Sequence, residues 1–192
     1  MATRTIHQIS DSTWFITFTC YGWLPLFDIT SSHDLVYNWF KIIKTKYGIH
    51  ICGFVIMPNH VHLLMYMKNE NINLNNVIGN GKRFIAYEIV KRLQHFPSVL
   101  VQLANACTAQ EKSKGQLHKV FEPSFDAKLV YNYNFFQQKL NYIHHNPVNG
   151  KWNLCNEFSD YEHSSASYYL DENQRHQGII TDYRELGWVE SF

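Results

Sequence analysis

Apolar and polar positions along the chain fall into short alternating runs and longer helical stretches. "STWFITFTCYGWLPLF" (12–27) is rich in β-branched and aromatic residues until Gly22 and Pro25 break it, which predicts a first strand near 13–21. "SSHDLVYNWFKIIKTKYG" (31–48) opens on Ser/Asp cap candidates, carries Leu35, Trp39, Ile42 and Ile43 at helical spacing, and stops at Gly48. "IHICGFVIM" (49–57) and "HVHLLMYM" (60–67) read as strands joined by a Pro58-Asn59 corner, hence as an antiparallel hairpin. Residues 71–93 read as a helix, with Gly79 and Gly81 weakening its first half. Residues 94–119 suggest a short helix, "SVLVQLANACTAQ", and a loop, "EKSKGQLHK". "FEPSFDAKLV" (121–130) reads as a fourth strand, and "NYNFFQQKLNYIHHNP" (132–147) as a helix ended by Pro147, because the residue before proline avoids helical angles.

The order β-α-β-β-α-β followed by a helix predicts a ferredoxin-like (RRM-like) α+β fold. Its antiparallel sheet would carry helices on one face, with the late helix added. No repeat or low-complexity linker divides the chain. One domain over 1–192 is expected, with a core of about 12–170 and a C-terminal extension over 171–192.

Composition changes this picture little. A 192-residue chain that is 45% hydrophobic supplies one ample core. Aromatic residues make up 16%, enough to fill that core and leave rings for stacking on bases. A net charge of +1 neither announces nor refuses nucleic acid, since basic residues can cluster locally: Lys41, Lys44 and Lys46; Lys82, Arg83, Lys91 and Arg92; Lys112, Lys114 and Lys119. Cys20, Cys52, Cys107 and Cys155 have no CxxC spacing, which speaks against a zinc knuckle or a redox pair. With no signal-peptide core and no membrane-length apolar run, the expectation is a reduced, cytoplasmic protein.

The chemistry concentrates in two places. On a strand, residues i and i+2 point the same way, so His60 and His62 project side by side while Val61 faces away. Two parallel imidazoles are either half of a metal site or two hydrogen-bonded histidines of a sheet surface. The HxHxH pattern of histidine-triad nucleotide hydrolases is broken by Leu64. In "KLNYIHHNPVNGKW" (139–152), Tyr142 and Asn146 are four apart, one turn along the same helical face, with Asn146 at the helix end beside Pro147. His144, His145 and Gln138 lie nearby. Tyr131 and Tyr133 are rival nucleophiles at the helix start, two to three turns from Asn146.

"MPNHVHLL" and "YIHHNPV", with "FEPSFDAK" between them and "YEHSSASYY" after them, resemble the REP-associated tyrosine transposases of the wider single-tyrosine HUH transposases. The likeness runs from about Trp14 to Tyr169. It implies metal ligation by His60, His62 and Asn146, with Mg²⁺ or Mn²⁺ as the ion. It also implies that Tyr142 is a nucleophile that cleaves single-stranded DNA beside hairpins through a 5′-phosphotyrosine link and then rejoins strands. The implied partner is single-stranded or hairpin DNA, with no membrane, and the protein itself either a monomer or a homodimer. A non-catalytic hairpin-binding protein and a water-using metal-dependent nuclease are the alternatives. Three features depart from the pattern: the extra length over 94–119, His163 in place of the tryptophan of a Y-x-W-S-S segment, and the unmatched tail 171–192.

Overall fold

The computed structural model describes residues 11–68, 72–150, 152–170, 175–176 and 178–186. In chain order the elements are β1 (Ser12–Thr19), α1 (Leu26–Ile29), α2 (His33–Tyr47), β2 (His50–Met57), β3 (His60–Met67), α3 (Leu74–Arg92), α4 (Pro97–Asn105), α5 (Ala109–Ser113), β4 (Asp126–Val130), α6 (Tyr133–His145) and α7 (Ala166–Leu170). The four strands form one antiparallel sheet in the order β2-β3-β1-β4. This mixed α+β architecture is consistent with a ferredoxin-like arrangement.

Alternation along the strands divides the core in two. Trp14, Ile16 and Phe18 of β1 and Val61, Leu63 and Met65 of β3 face a layer built from α2 and α3. Phe15, Leu64 and Tyr66 face the opposite layer, where Phe136, Leu140 and Ile143 of α6 cover them. The late helix thus lies on the other side of the sheet from the two earlier ones. That side is the one to which His60 and His62 point, by the same alternation.

Two glycines set the close approaches. A Cβ on Gly81 would stand 2.5 Å from the Trp39 indole, so the glycine that weakens α3 in isolation is what lets α2 and α3 pack. A Cβ on Gly53 would stand 2.6 Å from Leu140 Cδ1. Gly53 follows a register irregularity in β2, and the bulge lets α6 sit down on the sheet.

Two predicted boundaries shift. The fourth strand begins at Asp126 rather than Phe121, which keeps only an isolated bridge to Cys20. Pro123 lacks the N–H a ladder needs. The predicted helix "SVLVQLANACTAQ" is two, α4 and α5, and the second runs into the predicted loop as far as Ser113: Thr108 and Glu111 form a reciprocal capping box that starts α5. The tail's described part packs on the core: Ile180 bridges Ile51, and Leu186 joins the core under α6. The remainder of the tail, 171–174, 177 and 187–192, lies outside the described residues. Segment 163–165 pairs with the β2 edge through Ile56 N to His163 O and Ser165 N to Phe54 O, 2.8 and 2.9 Å. His163 stacks on His33 at 3.6 Å and bonds the Tyr37 hydroxyl at 2.9 Å. Among the described residues no helix is long and apolar enough to cross a membrane.

Candidate active site

The sheet supplies one wall of the site and the last turn of α6 the other. Two residues along β3 advance about 6.6–6.8 Å, and one helical turn of four residues advances about 6 Å. The near match lets two pairs of side chains meet at once. The Tyr142 ring packs against His62, centroids 5.1 Å apart. The Asn146 side chain comes near enough to His60 to act on its charge. The two imidazoles are 4.7 Å apart at 77°.

Both histidines are held from behind. The Asn59 amide N–H donates to the Trp23 carbonyl at 3.1 Å, which turns its oxygen toward His60 Nδ1 at 2.6 Å. That oxygen can only accept, so His60 carries its proton on Nδ1 and keeps a lone pair on Nε2. His62 Nδ1 lies 2.7 Å from Thr17 Oγ1, its register partner on β1. With Nδ1–H donated to this hydroxyl, the His62 Nε2 lone pair is likewise free. Phe15 stacks on His62 (5.5 Å, 18°) and meets Tyr142 edge-on (6.1 Å, 78°), so one buried ring braces both.

Electrostatics separates the roles. Each histidine is only 6% exposed. Burial lowers His60 to about 4, partly opposed by Asn146. Burial, with His60 and Lys139 adding repulsion, lowers His62 to about 3. At neutral pH both rings are uncharged, able to donate lone pairs and poor as proton acceptors. The Asn146 side chain favours the protonated His60 ring, against the larger effect of burial. With Nδ1 given to Asn59, the His60 Nε2 lone pair remains on the Asn146 side of the ring. Two imidazole nitrogens, with the amide oxygen that Asn146 can offer, make a donor set that suits a divalent cation. Among the described residues no group of three or more His, Cys, Asp and Glu side chains is placed to hold a metal. The amide oxygen lies outside those residue types.

Tyr142 is 48% exposed, so its ring is open to solvent while its inner contacts are with Phe15 and His62. The Lys139 ammonium, one turn earlier, lies 5.0 Å from the Phe15 ring centroid and 5.7 Å from that of Tyr142. Burial and the charge of Lys128 lower the Lys139 pKa. One cation thus lies beside the tyrosine although the whole chain is nearly neutral.

The neighbouring candidates lie elsewhere. His144 is buried and bonds Ser165 Oγ at 2.9 Å. His145 bonds back to the Asn141 carbonyl and packs on Phe158. Tyr131 stacks on Phe135, and Tyr133 lies by Tyr183. Gln138 is exposed on the helix surface. Sequence reading did not single out Phe15, Thr17, Asn59 or Lys139. Only Asn59, adjacent to the histidine pair, and Lys139, a turn before the tyrosine, carried a local signal.

No protein-family model and no curated protein matches the chain. A solved structure of a REP-associated tyrosine transposase bound to a REP hairpin aligns over 94% of this chain and 89% of its own, with a TM-score of 0.60 and 18% identity. The crystal structure of a candidate transposase from Deinococcus radiodurans R1 aligns over 72% of this chain and 90% of its own, at 13% identity. Its TM-score of 0.35 is too low to support an argument. What the first alignment establishes is a shared fold across nearly the whole chain.

Proposed function

We propose that this chain is a single-strand DNA strand transferase of the transposase kind. It would cleave and rejoin DNA beside hairpin structures, with Tyr142 as nucleophile and Mg²⁺ or Mn²⁺ held by His60, His62 and Asn146. The observation that carries the reading is the double contact between β3 and α6. Tyr142 meets His62, and one turn later Asn146 meets His60. The shared fold with a hairpin-bound transposase supports it, as does the Lys139 ammonium beside the Tyr142 ring.

The Tyr142 oxygen attacks the scissile phosphorus in line. A Tyr–O–P bond forms, the P–O3′ bond breaks, and the departing strand leaves as a 3′-hydroxyl. The phenol proton goes to solvent, to which Tyr142 is open, because His60 and His62 are too weakly basic to take it. A 3′-hydroxyl attacking the ester reverses these steps and joins strands without an external energy source. A bound divalent ion would supply charge neutralisation at the phosphate and polarise phosphorus toward attack. A phenol with a pKa of about 10 needs that help at neutral pH. In this reading the whole chain is one transposase-like unit.

The test is covalent trapping. Wild-type protein and Tyr142→Phe are incubated with end-labelled single-stranded hairpin DNAs from the sequence flanking the gene, with Mn²⁺ or with EDTA. Products are resolved on a denaturing gel. The expected result is a labelled protein band that needs the ion and is lost in the variant. Cleavage without a band, unaffected by the substitution, identifies a water-using nuclease. Binding with neither identifies a non-catalytic hairpin binder.

A further inference from the structure

Trp23 combines three properties that a purely structural role does not account for. Its indole is 59% exposed. Its backbone has φ +59°, a left-handed conformation that a bulky L-residue adopts only at a cost and that glycine adopts freely. Its ring lies 6.0 Å from His60, centroid to centroid. The strained residue is also tightly fixed. Trp23 N–H donates to the Cys20 carbonyl, and the Trp23 carbonyl accepts from Asn59. The preceding Tyr21 and Gly22 N–H groups donate to the Val120 carbonyl and the Glu122 carboxylate, 2.8 and 3.0 Å. The loop is thus tied to the β2–β3 corner and to the segment ahead of β4, yet the side chain it presents is left in solvent. Asn59 joins this loop to the site, since one amide holds both the Trp23 carbonyl and His60.

We infer that Trp23 is a stacking platform for an unpaired nucleobase close to the phosphate that Tyr142 attacks. The inference rests on the reading of this chain as a DNA strand transferase. Trp23, His60, His62 and Tyr142 form a continuous row of rings, each in contact with the next. A base lying on the indole therefore belongs to a nucleotide adjacent or next but one to the scissile phosphate. An indole offers a flat apolar face that every base can cover, and purines, having the larger face, bind it better. Holding one base on the row fixes the phosphate against the tyrosine, which is what an in-line attack demands.

The experiment measures binding without cleavage. Fluorescence anisotropy in EDTA is read for hairpin DNAs with single-stranded flanks, taken from the gene's surroundings. Wild type, Trp23→Ala, Trp23→Phe and Trp23→Gly are compared. Trp23→Ala should weaken binding by roughly 5- to 100-fold, and Trp23→Phe by much less. One abasic position near the cleavage point should cost wild type a similar factor and cost Trp23→Ala nothing further. Trp23→Gly relieves the backbone conformation, so its thermal midpoint should hold or rise while its affinity falls, opposite shifts that a structural role does not produce. Wild type that binds DNA while Trp23→Ala binds equally well overturns the stacking role and leaves the functional reading standing. Wild type that binds none of these DNAs overturns the functional reading, and the inference with it.

Discussion

Acidification of the metal-free protein should unfold it at a pH where most small domains are still stable. Burial lowers His60 and His144 to about 4 and His62 to about 3, from 6.5. An imidazole with a lowered folded pKa binds its proton more readily in the unfolded chain. Its contribution to stability is therefore complete above about pH 6.5 and is lost as the pH falls toward the folded value. At pH 5 the unfolded ring is almost wholly charged and the folded ring is not, which costs about 2 kcal/mol per histidine. Three rings sum to on the order of 5 kcal/mol, comparable to the whole stability of a small domain. His33, His50, His163 and His176 are lowered too and push the same way. Asp34, Asp182 and Glu111 have lowered pKa values and act only below the carboxylate range. Asp28 is raised and opposes slightly. The window between pH 7 and 5 therefore isolates the histidines. The assay is guanidinium unfolding in EDTA, followed by circular dichroism at pH 7, 6 and 5. The midpoint should fall steeply with pH, and less steeply in His144→Gln, whose ring lies outside the proposed metal site. A midpoint unchanged between pH 7 and 5 would refute the claim that these rings are buried uncharged.

Other consequences can be checked one residue at a time. Asn59→Ala removes the acceptor that fixes the His60 proton on Nδ1, and Mn²⁺ affinity by calorimetry should fall about 10- to 100-fold. Thr17→Val removes the partner of His62 and should act in the same direction. Gly81→Ala drives a Cβ to 2.5 Å from the Trp39 indole. Overpacking of about 1–3 kcal/mol should outweigh the gain in helix propensity of up to about 1 kcal/mol, and a thermal midpoint above wild type would show that α2 and α3 can separate freely. Lys139→Gln removes the cation one turn from Tyr142. It should slow adduct formation with the fold intact, and an unchanged rate would mean that this charge does not assist the phenol.

The features visible in the sequence are those whose signal is local. The β2–β3 hairpin and its histidine pair were legible because a two-residue corner and a two-residue side-chain period are written in adjacent positions. The Tyr142–Asn146 turn was legible for the same reason at helical period. The side of the sheet on which α6 lies was not. An amphipathic helix shows that it covers something but not which face, and here the bulge before Gly53 admits Leu140. Thr17 reaches His62 only through strand pairing across 45 positions, and no short window contains that contact. The separate start of α5 and its end at Ser113 were missed although Thr108 and Glu111 spell a capping box, because the lysines and glycine that follow read as loop. Trp23 carried no signal, since nothing in "CYGWLP" announces a left-handed tryptophan beside a histidine pair.

The central claim is that Tyr142, and no other tyrosine, becomes esterified to DNA. Trypsin releases it on "LNYIHHNPVNGK" (140–151), a peptide with no second tyrosine, while Tyr131 and Tyr133 fall together on "LVYNYNFFQQK" (129–139). The trapped adduct is digested with nuclease and then trypsin, and the peptide bearing the residual 5′-phosphonucleotide is identified by mass spectrometry. The account predicts the modification on 140–151, at Tyr142, and only when Mn²⁺ or Mg²⁺ is present. Modification on 129–139, or cleaved DNA with no modified peptide, would contradict it.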